Sequence, residues 1–240
     1  MSLTFKELAF ESTPLGDISL RQRAEPRLDN LLIYEVKLDD DFLMSSLFTE
    51  AEIQLSKLAL TTFKDKTNLD VVVGGLGLGY TAAAALESTA LNTLTVIDVM
   101  QPVIDWHQNA LVPLGENISK DPRCRLITAD FFALATAEVE GFQVQGKLQK
   151  VDSILLDIDH SPSHYLNPQN EHFYSLEGLG SIKNKLNDEG VFGLWSNDPP
   201  ESSFVALLDS VFTRSESHIV HFPNPYTGKD SQNTVYLAFN

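Results

Sequence analysis

The chain has 240 residues and a formal net charge of −16. That charge repels nucleic acid phosphates, and no basic cluster offsets it, so no nucleic acid partner is expected. Its 43% hydrophobic and 21% charged content supports a sizeable core, no apolar run approaches the ~18 residues of a membrane helix, and a single cysteine, Cys124, excludes an internal disulfide and argues for a cytoplasmic protein.

The first residues, Met1 to Glu7, carry no basic-then-apolar leader pattern. Residues 17–23 and 31–38 read as strands, with Pro26 and Asn30 in the turn region between them. They predict an antiparallel hairpin or small sheet. After a turn at Asp39-Asp40-Asp41, Thr49 reads as an N-cap with Glu52 three residues later, the spacing of a capping box. The helix it opens runs to about Thr62 with Leu55, Leu58 and Ala59 on its apolar face. Residues 1–48 are therefore expected as an N-terminal β unit and 49–240 as the main domain.

From residue 69 onward, strands and helices alternate. Strands are read at 69–73, 93–97, 123–127, 153–156 and 191–195, with Cys124 packed at the start of the third. Helices are read at 81–87, 102–112, 131–137, 171–186 and 202–212. Two closing strands, 217–222 and 234–239, flank a loop containing Pro223, Pro225 and Gly228 and predict an antiparallel hairpin. The pattern predicts an α/β, Rossmann-like, mainly parallel seven-stranded sheet with helices on both faces.

In an open parallel sheet, ligands sit past the carboxyl ends of the strands. The apolar run Val71-Val72-Val73 leads into Gly74-Gly75-Leu76-Gly77-Leu78-Gly79, a tight turn before a helix. Gly75, Gly77 and Gly79 are the expected cofactor-binding turn. Asp98, with Val99 beside it, ends the next strand and is placed to accept from ribose hydroxyls. Asp130 follows the third strand, beside Phe131; it either caps the next helix or accepts from an adenine amino group. Asp157 and Asp159 follow the fourth strand, Asp157 nearest the reacting end as a base or amine holder. His160 and His164 suggest a metal pair, but Pro162 between them opposes a shared helix, and no metal is expected.

Together these residues resemble the spermidine synthase (polyamine aminopropyltransferase) family, within the class I methyltransferase fold. The resemblance rests on the glycine run at 73–79, Val96-Ile97-Asp98, Thr128-Ala129-Asp130-Phe131, Asp152-Ser153-Ile154-Leu155-Leu156-Asp157 and the late loop Phe222-Pro223-Asn224-Pro225-Tyr226-Thr227-Gly228. It implies S-adenosylmethionine (SAM) or decarboxylated SAM as a substrate, Asp157 as the catalytic residue, and Asp159, His160 and Tyr226 on the acceptor. The implied acceptor is a small amine such as a polyamine; a homodimer and no membrane partner are also expected. The family's glutamine and tyrosine–histidine pair near the end of its small domain are not evident in Leu43-Met44-Ser45-Ser46 or in the helix after it, and two further positions depart from the family pattern. Gly77 stands where the family has an amine-holding aspartate, and His160 stands where it has a second, polyamine-binding aspartate. The competing expectations are a SAM-dependent methyltransferase and a non-catalytic binding or assembly protein that kept the fold. A nicotinamide-dependent oxidoreductase fits less well, because of the N-terminal and terminal antiparallel strands.

Overall fold

The computed structural model describes residues 5–144 and 147–240. Four strands come first: β1 (Phe5–Thr13), β2 (Gly16–Glu25), β3 (Leu31–Leu38) and β4 (Asp41–Ser45), antiparallel and paired in sequence order. The expected hairpin is thus the centre of a larger sheet. Its outer strand β1 lacks strict alternation, being exposed or half-exposed throughout. Helix α1 (Glu50–Thr61) follows. The expected capping box is absent: Thr49 makes no side-chain cap hydrogen bond, and Glu52 is turned inward and buried.

The alternating region then runs β5 (Leu69–Gly74), α2 (Tyr80–Leu86), β6 (Leu91–Asp98), α3 (Gln101–Gln108), α4 (Gly115–Ser119), β7 (Cys124–Thr128) and α5 (Phe131–Thr136). It continues through a short pair, β8 (Phe142–Val144) and β9 (Lys147–Gln149), to β10 (Val151–Leu156), α6 (Leu176–Lys185), β11 (Leu186–Ser196), α7 (Ser202–Val211), β12 (Arg214–Asn224) and β13 (Lys229–Phe239). The helix read at 171–186 is divided: a 3-10 segment, Pro168–Tyr174, ends at Ser175, whose side chain caps α6 by accepting from the Gly178 N–H. The helix read at 102–112 stops at Gln108, and Ala110 adopts a positive φ.

Seven strands form the main sheet in the order β12-β13-β11-β10-β5-β6-β7, with the central strands parallel and β13 antiparallel to both neighbours. This is the expected mainly parallel sheet of class I methyltransferase type. Period-2 alternation divides its residues between two cores. Val71, Val73, Leu94 and Val96 join α1 to α4 and the N-terminal sheet on one face. Val72, Ile97, Ile154 and Leu156 join α5, α6 and α7 on the other. Burial on both faces explains why the β5 segment reads as a continuous apolar run.

Candidate functional site

The strands end level with one another. Gly74 pairs with Leu156 on one side and Ile97 on the other, and Asp98 pairs with Thr128. Backbone bonds extend this alignment: the Asp157 N–H donates to the Gly74 carbonyl at 2.8 Å and the Gly75 N–H to the Ile97 carbonyl at 2.9 Å. The residues that follow β5, β6, β7 and β10 therefore meet in one place. There a cavity of about 940 Å³ opens beneath the N-terminal sheet and beside α1.

The glycines play different parts. Gly75 has φ +92, and a Cβ there would lie 2.9 Å from the Asp157 carbonyl carbon, so no side chain fits between the ends of β5 and β10. Gly75 and Gly77 line the cavity. Gly79 does not; it is the N-cap of α2, and its close neighbours are Ile118 and His107. Gly74 was not singled out from sequence, yet the Phe131 ring lies over it within 2.9 Å of a would-be Cβ.

Asp98 lines the cavity and fastens the loops around it. Its Oδ2 accepts from the Leu76 N–H at 2.9 Å and its Oδ1 from the Met100 N–H at 2.8 Å. Burial raises its pKa against the pull of these donors. Val99, exposed, and Phe131, buried, also line the wall. Asp130 lines it too, while its Oδ1 accepts from the Ala133 N–H at 3.1 Å. The capping alternative raised for Asp130 is thus realised, with its second oxygen unused by the cap.

Asp157 also lines the cavity, and its Oδ2 accepts from the Thr81 hydroxyl at 2.7 Å. The same hydroxyl lies 3.3 Å from the Glu52 carbonyl and so joins α1, α2 and the end of β10. Glu52 lines the cavity with only 7% of its surface exposed. Burial, and then the charge of Asp157, push the Glu52 carboxyl up to about 8; burial pushes Asp157 up to about 6. Neighbouring like charges share their titration, so both carboxyls favour the protonated form more than free carboxyls do.

Of the three expected acceptor residues, only His160 lines the cavity. Asp159 is 1% exposed and spent on internal bonds: it accepts from the Leu166 N–H at 2.8 Å, the Asn170 amide at 2.9 Å and the Tyr174 hydroxyl at 2.9 Å. It secures the segment between β10 and α6. Tyr226 lies outside the cavity wall, at the loop between β12 and β13. It donates to Glu25 at 2.9 Å and accepts from Arg23 at 2.9 Å, clasping the two sheets together. His164 bonds Asp198 at 3.0 Å and Ser161 at 3.1 Å, all through Nδ1. Among the described residues no group of three potential metal ligands comes together.

Met44, on β4, was also missed from sequence. Its sulfur accepts from the Leu78 N–H at 3.0 Å, and its Cε lies 2.8 Å from a would-be Cβ at Gly77. It thus covers the turn that would otherwise open to a ligand. His107 supports that turn from behind: it is fully buried, with Nε2 2.9 Å from the Gly77 carbonyl, and burial lowers its pKa. Neutral, it donates through Nε2. Among the described residues neither Lys nor Arg lines the cavity, and four carboxylates do.

No family model matches this sequence, and no curated protein does. Solved structures match its fold over nearly the whole chain. A spermidine synthase in complex with the transition-state analogue AdoDATO is 15% identical, with a TM-score of 0.73 over 98% of this chain and 73% of the other. The spermidine synthase of Thermotoga maritima is likewise 15% identical, with a TM-score of 0.72 over 98% of this chain and 72% of the other. The fold is that of spermidine synthase.

Proposed function

We propose that this chain is a transferase that binds SAM or decarboxylated SAM in the cavity and passes a methyl or aminopropyl group to a small amine such as a polyamine. The observation that carries this reading is the meeting of Asp98, Asp130 and Asp157 beside the glycine turn, in a cavity that no lysine or arginine among the described residues lines. In this reading each oxygen of Asp98 keeps a lone pair for a ribose hydroxyl, and Asp130 accepts from the base amino group while Val99 and Phe131 cover its edge. The sulfonium substrate supplies an electrophilic carbon whose bond to sulfur breaks with the electron pair left on sulfur. Asp157 takes the proton from the attacking amine, a task suited to a carboxyl held near neutrality. On the acceptor side His160 is the expected group that reaches the cavity wall, while Asp159 and Tyr226 act through the segments they hold. A cytoplasmic location and a homodimer complete the proposal; sedimentation velocity tests the dimer.

The nucleoside half of the cavity suits this substrate better than the tail half. Met44 covers Gly77, and no carboxylate stands at that position to hold a tail amine. This favours one second reading, a nucleoside-binding protein without transferase activity. Calorimetric titration with SAM, decarboxylated SAM and methylthioadenosine separates the two. Binding of a sulfonium substrate, followed by transfer to an amine, supports the transferase. Binding of methylthioadenosine alone supports the second reading, and binding of none overturns both.

A further inference from the structure

The proposed function leaves Glu52 without a task. It sits in the first turn of α1, more than nine-tenths buried, and faces the cavity. Among the described residues, no other residue donates a hydrogen bond to its carboxylate and no basic side chain pairs with it. Such a carboxylate is costly to bury unless a cation or a proton neutralises it. Asp157 lines the same cavity with one oxygen bonded to Thr81, and no other side chain is bonded to its second oxygen among the described residues. The other charged or titratable groups near Glu52 are Glu50 on its own helix and Tyr80 at the start of α2; His160 is the one lining side chain that can carry positive charge. Around this end the lining includes the aromatic groups Phe48, Trp195 and Phe222, which offer faces to an alkyl chain and to a cation beside it.

We propose that Glu52 and Asp157 form a proton-exchange site for an alkylammonium ion. This rests on the reading of the cavity as one that accepts amines, and it names the group that recognises the amine. In the free protein the two carboxylates hold one proton between them. An entering alkylammonium ion displaces that proton to solvent: a monoanionic, singly protonated pair and a cation become a cation held by two carboxylates, plus one released proton. Charge balances, and no covalent bond to carbon changes. Asp157 is then ionised when the amine arrives, the state in which it can take the amine's own proton. Glu52 is in this scheme a binding group, and Thr81 a positioning group that holds Asp157 by its hydroxyl.

The test is calorimetric titration of the full chain with 1,4-diaminobutane and with n-butylamine at pH 7, in buffers of different ionisation enthalpy. The slope of observed heat against buffer enthalpy counts protons released. About one proton per amine molecule bound is expected for the parent, with either amine. Glu52→Gln, which keeps the shape, should bind at least tenfold more weakly with no proton release, and its melting curve checks its fold. Should Glu52→Gln not fold, Asp157→Asn tests the same site: it should bind both amines at least tenfold more weakly, and parent-like affinity there overturns the proposal. Binding without proton release, parent-like affinity in Glu52→Gln, or no binding of either amine overturns the proposal. Methylthioadenosine titrated in parallel keeps the two readings apart: nucleoside binding without amine binding removes this inference alone, whereas amine binding with proton release but no nucleoside binding removes the proposed function.

Discussion

Replacing Gly77 by alanine tests the seat of Met44 directly. Gly77 has φ +48, a left-handed conformation that costs an alanine about 1–2 kcal/mol. The new Cβ would also lie 2.8 Å from Met44 Cε and closer still to its sulfur. The obstacle is the end of a flexible side chain, so it can move, but only by giving up the Leu78 N–H and its packing; overpacking of this kind costs about 1–3 kcal/mol. The sum is about 3 kcal/mol, roughly 6–12 °C in melting temperature for a chain of this size. With Met44→Ala as background, only the backbone cost remains, so the same substitution should cost about 1–2 kcal/mol. Urea denaturation of the four proteins in the cycle gives the coupling. Gly75→Ala is the control: its Cβ would meet the Asp157 backbone, which no truncation of Met44 relieves, so its penalty should be equal in both backgrounds. An equal cost of Gly77→Ala in both backgrounds would refute the reasoning.

Asp98→Ala should lower methylthioadenosine affinity at least tenfold, since a hydrogen bond to a charged group is worth ~1.5–3 kcal/mol. It should also lower the melting temperature without nucleoside, because Leu76 and Met100 lose their acceptor; a folded variant with parent affinity contradicts the ribose assignment. Asp157→Asn should leave nucleoside affinity nearly unchanged and reduce transfer at least ~100-fold, by loss of the base; turnover equal to the parent's would leave Asp157 a structural residue. Stability should also depend on pH through Glu52. Its folded pKa, about 8, lies above the ordinary 4.5, so the folded state binds more protons in that window and unfolding becomes easier as pH rises through it. Urea denaturation at pH 5 and pH 8 should show this fall in the parent and a shallower one in Glu52→Gln; identical slopes would remove Glu52 from the account.

The strand ends were legible because the sheet is parallel. An apolar run followed by Gly75, Asp98, Asp130 or Asp157 marks where a buried strand stops, and parallel pairing brings those stops to one side. The residues that reach the cavity from the N-terminal side were not legible. Met44 looks like any strand methionine, and its use depends on β4 crossing above the glycine turn, a long-range placement with no local pattern. Glu52 carried a local signal that pointed elsewhere, since the spacing from Thr49 is that of a capping box. Burial beside Asp157 took the side chain instead. Asp159 and Tyr226 were assigned to an acceptor through resemblance, but their hydrogen bonds run to Asn170 and Tyr174, and to Arg23 and Glu25. A motif can mark a position correctly while the local partners of its side chain decide the use.

The clasp between Tyr226 and the pair Arg23 and Glu25 joins residues about 200 positions apart in sequence. During synthesis, at ~5–20 residues per second, domains condense as they emerge, but this clasp must wait for the β12–β13 hairpin. Until then β11 has no β13 partner and the N-terminal sheet no fastening at that corner. A nascent chain stalled before residue 214 would present β11 as an open strand edge, a surface on which other chains can pair. Residues 214–240 therefore also shield the strand edge exposed during synthesis.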